Sequence, residues 1–305
     1  MIKTASGGGE YALLSAAAVK FMQLMLADRT SLRAHPAIVY FNQYGFGAAG
    51  SGSGTGQYTT WGLDGYDTMG SVNEGSQATE TSLTNALKTI TTAKKQIRRD
   101  LSDEARTLDA TGQLNPLRLA QDGFGAAMMT LTNLIAGLMS GFSNQVGTTG
   151  VAFTHDTWLA GQAKLQDANV PGPYLALLAP THFSSWQQDL ETRGGLTQWT
   201  PAAAEMQALK GYGYKGTYNS VDVYVTDGVP TSGSDRISGM FGRGAIGFGE
   251  QEIVYGPEAD IIVQAGPIAA EVQRIAGAYT QIFTTYHVGV TEIEDGRGVG
   301  MLALE

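Results

Sequence analysis

A glycine-rich segment at residues 45–50 is the first candidate for a binding site in this sequence. Its sequence, GFGAAG, matches the G-x-G-x-x-G pattern of a dinucleotide-binding turn and follows an apolar run. In such a site the last glycine lies at the opening of a helix whose N-terminus holds the pyrophosphate. Here the chain continues as SGSGTG, which does not start a helix. The segment therefore predicts a flexible loop, and no G-x-x-x-x-G-K-[ST] phosphate-binding motif occurs elsewhere.

Nucleophilic catalysis would need a hydroxyl or thiol beside a histidine. The sequence has no Cys, and the nearest local candidate is His182 with Ser184 or Ser185. These serines follow Pro180 at a helix opening, where hydroxyls commonly bond free backbone amides. Neither a G-x-S-x-G nor an H-E-x-x-H motif is present. We therefore predict no catalytic, no cofactor-binding and no metal-binding residues.

A basic cluster near residue 100 could contact phosphate. Its members are Lys94, Lys95, Arg98, Arg99 and Arg106. Acidic residues interleave with them: Asp100, Asp103, Glu104 and Asp109. Because the signs alternate, we favour a salt-bridged contact with another subunit over a phosphate contact.

The composition also indicates a chain that is covered by other chains. There are 19 basic and 28 acidic residues, a net charge of −9, which argues against broad binding to a phosphate backbone. Charged residues make up 15% of the chain, whereas about 25% is usual. Since a monomer normally keeps itself apart with abundant surface charge, low charge favours subunit contacts. The absence of Cys excludes disulfides and thiolate metal sites.

Residues 34–87 form a separate excursion without a single Lys or Arg. Aromatic arms, Val39–Phe41 and Tyr58–Trp61, flank the mobile tip Gly45–Gly56, so the pattern predicts a long hairpin-like loop. The arms have too few residues to build a core. We therefore expect the excursion to lie on a neighbouring subunit.

Hydrophobic spacing predicts the remaining elements. The predicted helices cover Tyr11–Met25, a short segment starting at Ser102, Pro116–Phe142 with Asn115 as N-cap, His155–Ala168 and Thr181–Leu190. Ala270–Thr285 is predicted to be a helix, or a helix that passes into a strand. The predicted strands cover Ala37–Tyr44, Leu83–Ala93, Tyr174–Ala179 and Val221–Thr226, with a final hairpin formed by Val288–Ile293 and Val299–Leu304. Lys94 to Arg99 are predicted to open a charged turn. Residues 123–154 carry no charge but are too polar for a bilayer span, so we expect a buried helix and no membrane.

Four segments resemble the major capsid proteins of tailed bacteriophages, which have the Hong Kong 97 type fold. They are VPGPYLALLAPTHF at 170–183, GTYNSVDVYVTD at 216–227, GRGAIGF at 242–248 and TYHVGV at 285–290. The resemblance implies an α+β fold with an N-terminal arm at 1–33, an extended loop at 34–87, a peripheral domain at 88–169 with a spine helix at 116–142, an axial domain at 170–263 and a return to the peripheral domain at 264–305. None of these motifs is catalytic.

The same resemblance implies that copies of the chain assemble with one another into an icosahedral shell of pentamers and hexamers. The shell would enclose double-stranded DNA without sequence-specific binding, as a virion capsid assembled in the cytoplasm of a bacterial host. Expected partners are a portal protein, a possible decoration protein and a separate scaffolding protein, because only about 33 residues precede the excursion. Two alternatives stay open: an encapsulin-like nanocompartment, and a soluble enzyme using the glycine-rich segment or His182.

Overall fold

The computed structural model describes residues 3–4, 35–40, 55–60, 86–108, 116–194, 199–203, 213–251, 261–265, 267–275 and 279–305. The helices in these ranges are α1 Asp103–Leu108, α2 Pro116–Gly137, α3 His155–Asp167 and α4 Pro180–Thr192. The strands, in chain order, are β1 Lys3–Thr4, β2 Ile38–Tyr40, β3 Thr55–Thr60, β4 Ala86–Thr91, β5 Ala93–Ser102, β6 Gln145–Gly147, β7 Tyr174–Leu178, β8 Trp199–Pro201, β9 Tyr214–Tyr218, β10 Val221–Val225, β11 Thr231–Ser232, β12 Asp235–Phe241, β13 Ile246–Glu250, β14 Ile261–Ala265, β15 Ile268–Ile275, β16 Tyr279–Glu292 and β17 Gly298–Leu304.

The first sheet, sheet 1, is built around the long strand β16. Its described strands follow the order β1-β14-β15-β16-β13-β2, and β5 pairs with β16 on the side opposite β15 and β13. β16 has 14 residues rich in Thr, Val, Tyr and Phe, the β-branched and aromatic types that suit a pleated surface. β5 lies antiparallel to it from Val288↔Ala93 to Tyr279↔Ser102. Sheet 1 therefore ends in a long edge strand.

The second sheet, sheet 2, has the order β6-β17-β12-β7-β10-β9-β8, with β11 also paired to β12. Its central strand β7 is buried on both faces, because successive side chains alternate between them. Leu175 and Leu177 pack into one hydrophobic cluster, and Ala176 and Leu178 into another. β7 and β10 are parallel, and the connection between them includes α4.

Helix α2 joins the two sheets. It packs across β16, and its side chains Phe124, Leu131 and Ile135 share one cluster with Leu177 of sheet 2 and Phe248 of sheet 1. All three helix residues are at most 2% exposed, and each such buried side chain stabilises the fold by about 1.5–3 kcal/mol. Although its composition is apolar enough for a membrane span at Asp122–Ser140, α2 is therefore a core helix, as expected.

The opposite face of sheet 2 is covered by α3 and α4. Trp158 of α3 stacks on Trp186 of α4 with ring centroids 4.6 Å apart. Leu165 and Leu190 complete this layer against Val223 of β10. The predicted helices at 155–168 and 181–190 are thus confirmed, with α4 beginning at Pro180, where its missing N–H leaves no unpaired donor. Leu159, on the outer side of α3, is 43% exposed.

The predicted spine helix begins at Pro116 as expected but ends at Gly137, after which Leu138–Ser140 form a 3-10 turn. Interior glycines cost about 1 kcal/mol relative to Ala, so the glycines of this helix predict close packing against another backbone. Gly123 does pack closely on β16, but against a side chain, because an added Cβ would collide with Thr284. Gly125 and Gly137 have open space around the same position, so the prediction is wrong for them.

Three predicted elements are wrong. Ala270–Thr285 is not a helix, since β15 and β16 pair antiparallel there from Ile268↔Tyr286 to Ile275↔Tyr279. The charged turn at Lys94 to Arg99 is part of strand β5, whose exposed edge tolerates successive charges. The final hairpin does not form, because β16 belongs to sheet 1 whereas β17 pairs with β12 and β6 in sheet 2.

The predicted domain boundaries also differ from the sheets. β13 lies within the predicted axial range 170–263 but belongs to sheet 1. α3 lies within the predicted peripheral range 88–169 but packs on sheet 2, and β17 within 264–305 is a strand of sheet 2. The chain passes back and forth between the two sheets, because many strands pair with partners that are distant in sequence. Continuous sequence ranges therefore do not coincide with the sheets.

The hairpin of the excursion uses different arms from those predicted. β3 pairs antiparallel with β4, from Thr60↔Ala86 to Thr55↔Thr91, so Thr55 and Gly56 belong to a strand rather than to a loop tip. β2 pairs instead with β13 of sheet 1. The predicted helix at Tyr11–Met25 and the glycine-rich motif at 45–50 lie outside the described residues.

Candidate assembly surface

His182, the histidine that the sequence places near Ser184 and Ser185, is a buried structural residue. Its side chain is fully buried, and its Nδ1 lies 2.7 Å from Ser238 Oγ while Nε2 lies 3.1 Å from the carbonyl oxygen of Ala303. A carbonyl can only accept, so Nε2 carries the proton and Nδ1 accepts from the Ser238 hydroxyl. Ser238 Oγ also accepts from the backbone N–H of Ala179.

This arrangement fastens α4 to β12 and β17. Burial lowers the pKa of His182, while the hydrogen bond to the Ala303 carbonyl acts in the opposite direction. Ser184 is exposed and Ser185 half-buried on α4, and neither is the hydroxyl that bonds His182. Ser238 lies 56 residues away in sequence, so local spacing gave no signal for it. The second ring nitrogen of His182, Nε2, contacts a backbone carbonyl rather than a carboxylate. The described residues around His182 therefore lack the orienting acid of a catalytic triad.

The basic cluster is spread along the outer strand of sheet 1. Lys94 and Lys95 are exposed, and Arg98 pairs with Asp100 on the same strand at 2.5 Å. Arg99 reaches across to Asp122 of α2. These ion pairs are partly exposed, so solvent screening leaves them a small contribution to stability. Both arginines of β5 thus pair with acidic side chains. In the described part of the chain, Lys94 and Lys95 have no acidic partner.

A groove separates β5 from α2, and we call it the edge groove. It has a volume of about 340 Å³, and its lining includes Lys95, Ile97, Ala126, Ala127, Thr130 and Tyr286. The small side chains on α2 leave it open, while Lys95 is its charged member. The groove can therefore accept an apolar side chain with an acidic neighbour. Sequence spacing could not reveal it, because its two walls come from segments that only the fold brings together.

The β3–β4 ribbon extends from this same corner of sheet 1. At its base, Ile90 is 1% exposed and packs with Ile293, and the carbonyl of Thr91 lies against Gly289 of β16. Nearby, burial and the charge of Asp295 raise the pKa of Glu292, while Lys88 of β4 lowers it. The base of the ribbon is thus fixed to the subunit.

Comparison with known proteins relies on structure alone, because neither a family model nor a curated protein matches the sequence. The cyanophage P-SCSP1u capsid aligns over 88% of this chain and 87% of its own, with a TM-score of 0.53 and 12% identity. The capsid of Ralstonia phage GP4 aligns over 83% and 84%, with a TM-score of 0.53 and 11% identity. The chain has the fold of a phage capsid subunit.

The capsid fold is also found in a protein that is not a phage capsid. The SrpI encapsulin from Synechococcus elongatus PCC 7942 aligns over 72% of this chain and 77% of its own, with a TM-score of 0.51 and 14% identity. Sequence identities this low show the fold alone. They do not distinguish a shell that encloses DNA from one that encloses protein. The α+β class expected from the sequence is confirmed, and the capsid-like architecture with it.

Proposed function

We propose that this chain is the major capsid protein of a tailed bacteriophage. Many copies would form an icosahedral shell of pentamers and hexamers around double-stranded DNA. The observation that carries the proposal is the likeness to phage capsid subunits across 88% of the chain. The low content of charged residues, 15%, supports it independently, because an assembled subunit covers much of its surface with copies of itself.

The architecture suggests roles for the two sheets. Sheet 1 with the spine helix α2 corresponds to the peripheral domain, and sheet 2 with α3 and α4 to the axial domain. This assignment follows the sheets rather than the sequence ranges 88–169, 170–263 and 264–305. Residues 1–33 would serve as the N-terminal arm and 34–87 as the extended loop lying on a neighbour.

The proposed role is structural rather than enzymatic. His182 is used to fasten a helix to sheet 2, and the chain would enclose DNA without reading its sequence. A net charge of −9 suits the wall of a DNA-filled shell, because a wall that bound the packaged DNA tightly would hinder the movement of the DNA. Assembly would take place in the host cytoplasm with a separate scaffolding protein, a portal and, where needed, a decoration protein.

The shells should hold together without covalent cross-links between subunits. In the cross-linking members of the resembled family, a lysine of the extended loop is the reactive amine. Residues 34–87 contain no lysine, and Lys88 is in β4, in the ribbon anchored to sheet 1. Particles boiled in detergent should run as one band near 32.2 kDa. A ladder of ring-sized multimers would contradict this.

An encapsulin-like shell is the second candidate, supported by the likeness to the SrpI encapsulin. Electron microscopy of particles from the native source, with the ratio of absorbance at 260 and 280 nm, distinguishes the two. A phage capsid predicts icosahedral particles rich in DNA, whereas an encapsulin predicts particles containing cargo protein and little nucleic acid. Failure to find any closed particle would contradict both proposals.

A further inference from the structure

Two segments carry the chain from one sheet to the other, and we call them together the neck. Residues 242–245 connect β12 of sheet 2 to β13 of sheet 1, and residues 293–297 connect β16 of sheet 1 to β17 of sheet 2. The segments run side by side in opposite directions, because β12 pairs with β17 as far as Phe241↔Gly298 and β13 pairs with β16 beyond the neck. One pair of antiparallel segments therefore continues from sheet 2 into sheet 1.

The backbone of the neck is rich in glycine. It contains Gly242, Gly244 and Gly296. Gly244 has a φ of +83°, and a Cβ added at Gly296 would meet nothing within 4 Å. Because glycine adopts a wide range of backbone conformations, a neck of this composition can act as a hinge between the sheets unless side chains hold it.

Arg297 links the two segments of the neck through its side chain. It is 6% exposed, its Nη1 donates to the carbonyl oxygen of Arg243 at 2.9 Å, and its Nε pairs with the Glu294 carboxylate. The backbone supports the same link, since the Gly242 N–H donates to the Arg297 carbonyl at 3.0 Å. A guanidinium is planar and its donors point in fixed directions, so bonds to both segments define their relative position.

Two other connections between the sheets are less directional. The apolar side chains of α2 pack on both sheets, but apolar contact has no preferred direction and packed elements can slide on one another. His35, which precedes β2, contacts Asp222 of β10 at 3.3 Å through one ring nitrogen. These connections hold the sheets together, whereas the buried guanidinium also fixes how the neck is bent.

We propose that Arg297 is a clasp that sets the angle between sheet 1 and sheet 2, so that both sheets enter an assembly as one rigid body. That angle shapes the subunit, and the angle at which subunits meet determines the diameter of a closed shell. The effect on diameter rests on the proposed capsid function. The effect on the angle concerns a single chain and does not depend on that function.

Electron spin labels can measure the movement of the sheets, because the chain contains no Cys and labels attach only at introduced cysteines. The pair K94C/K215C places one label on β5 of sheet 1 and one on β9 of sheet 2, both at exposed positions. The pair K164C/K215C places both labels on sheet 2 and its helix α3, and serves as the reference. Dilution of labelled full chain into unlabelled chain restricts the measured distances to one copy, in free subunits and in shells alike.

The variant R297M should broaden the distance distribution between the sheets by at least about twofold and leave the reference pair unchanged, because only the neck loses its clasp. The matched control is R236M. Arg236 likewise bonds a carboxylate and a carbonyl, those of Glu305 and Asp227, but both follow strands of sheet 2. R236M should therefore leave the distribution between the sheets unchanged.

The variant E294A is a milder second test, since the Glu294 side chain is 28% exposed and its loss should leave the circular dichroism unchanged. It removes the carboxylate that orients the Arg297 guanidinium, and should broaden the same distribution by less than R297M does. An unchanged distribution in both variants would overturn the inference and assign the angle to α2 and His35. Equal broadening in R236M would overturn it as well, because the effect would not be specific to the neck.

Electron microscopy tests the consequence for the shell. R297M particles should vary more in diameter than wild-type particles assembled under identical conditions, or fail to close. A broadened distribution in R297M without closed wild-type particles would support the clasp while refuting the capsid function. Closed wild-type particles with an unchanged distribution in both variants would overturn the clasp and leave the capsid function standing. Closed R297M particles of wild-type diameter would overturn the link between the angle and the size of the shell.

Discussion

The two sheets differ in how far the subunit itself completes them. The central strand of sheet 2 has Leu175, Ala176, Leu177 and Leu178 all at 0% exposure, covered by α2 on one face and by α3 and α4 on the other. Sheet 1 instead ends in β5, most of whose residues are exposed. Sheet 2 can thus be stable within one chain, whereas sheet 1 has an edge that another copy can cover.

The largest expected effect is on sheet 2. Replacing Trp186 by Ala removes a fully buried ring that stacks on Trp158, and should lower the free energy of unfolding by about 3–5 kcal/mol. Urea unfolding of unassembled subunits measures this change. The control Leu159→Ala, on the exposed side of α3, should change it by less than about 1 kcal/mol. A loss for Trp186→Ala as small as that of the control would show that sheet 2 does not depend on its own helices.

A paired substitution on α2 tests how tightly the spine helix lies on sheet 1. Gly123→Ala forces a methyl group into Thr284 and should destabilise the subunit by about 1–3 kcal/mol. Gly125→Ala, at an exposed position with open space, should stabilise it by up to about 1 kcal/mol through helix propensity. Thermal unfolding distinguishes the two signs. A stabilising Gly123→Ala would mean that the helix is free to move away from β16.

The smallest effect concerns pH. Because burial lowers the pKa of His182, the unfolded chain takes up a proton below about pH 6.5 while the folded chain stays neutral there. The free energy of unfolding should therefore fall as the pH decreases below about 6.5 and stay level with respect to this group above it. The neighbouring charges act in opposite directions, with Arg236 lowering and Asp235 raising the pKa.

The variant His182→Gln should show a shallower loss of stability between pH 6.5 and 4.5 in urea titrations. The free energy of unfolding of the variant should still depend on pH in this range, because burial also lowers the pKa of His155 and His287. An identical slope in wild type and variant would show that His182 takes up its proton as easily in the fold as in the unfolded chain.

Local patterns were sufficient for β7, β10 and the helices that cover sheet 2, but they did not predict β6, β8, β9, β11 or β12. Pro116 and Pro180 mark helix starts, and the alternation of Val221, Val223 and Val225 with more polar residues predicts β10. The same alternation predicts a half-buried strand, which is only partly right. Tyr224 on the second face is fully buried, because α2 and its cluster cover that side.

Sheet 1 could not be predicted in the same way. β15 and β16 carry Gln, Glu and Arg among their apolar residues, which mimics an amphipathic helix until the pairing is known. β5 has exposed charges on successive residues, so the alternation of a half-buried strand is absent. The separation of β16 from β17 depends on β17 pairing with β12, a partner distant in sequence. The errors at β5 and β17 share one physical cause, non-local pairing that sequence periodicity does not encode, whereas β15 and β16 are consecutive strands.

The central claim is that copies of this chain assemble with one another, and the mass of the wild-type protein in solution tests it most directly. Size-exclusion chromatography with light scattering, over a range of concentrations and with or without a scaffolding protein, measures that mass. The account predicts ring-sized or shell-sized particles at many multiples of the 32.2 kDa subunit. A stable 32.2 kDa monomer as the sole species under all these conditions would contradict it.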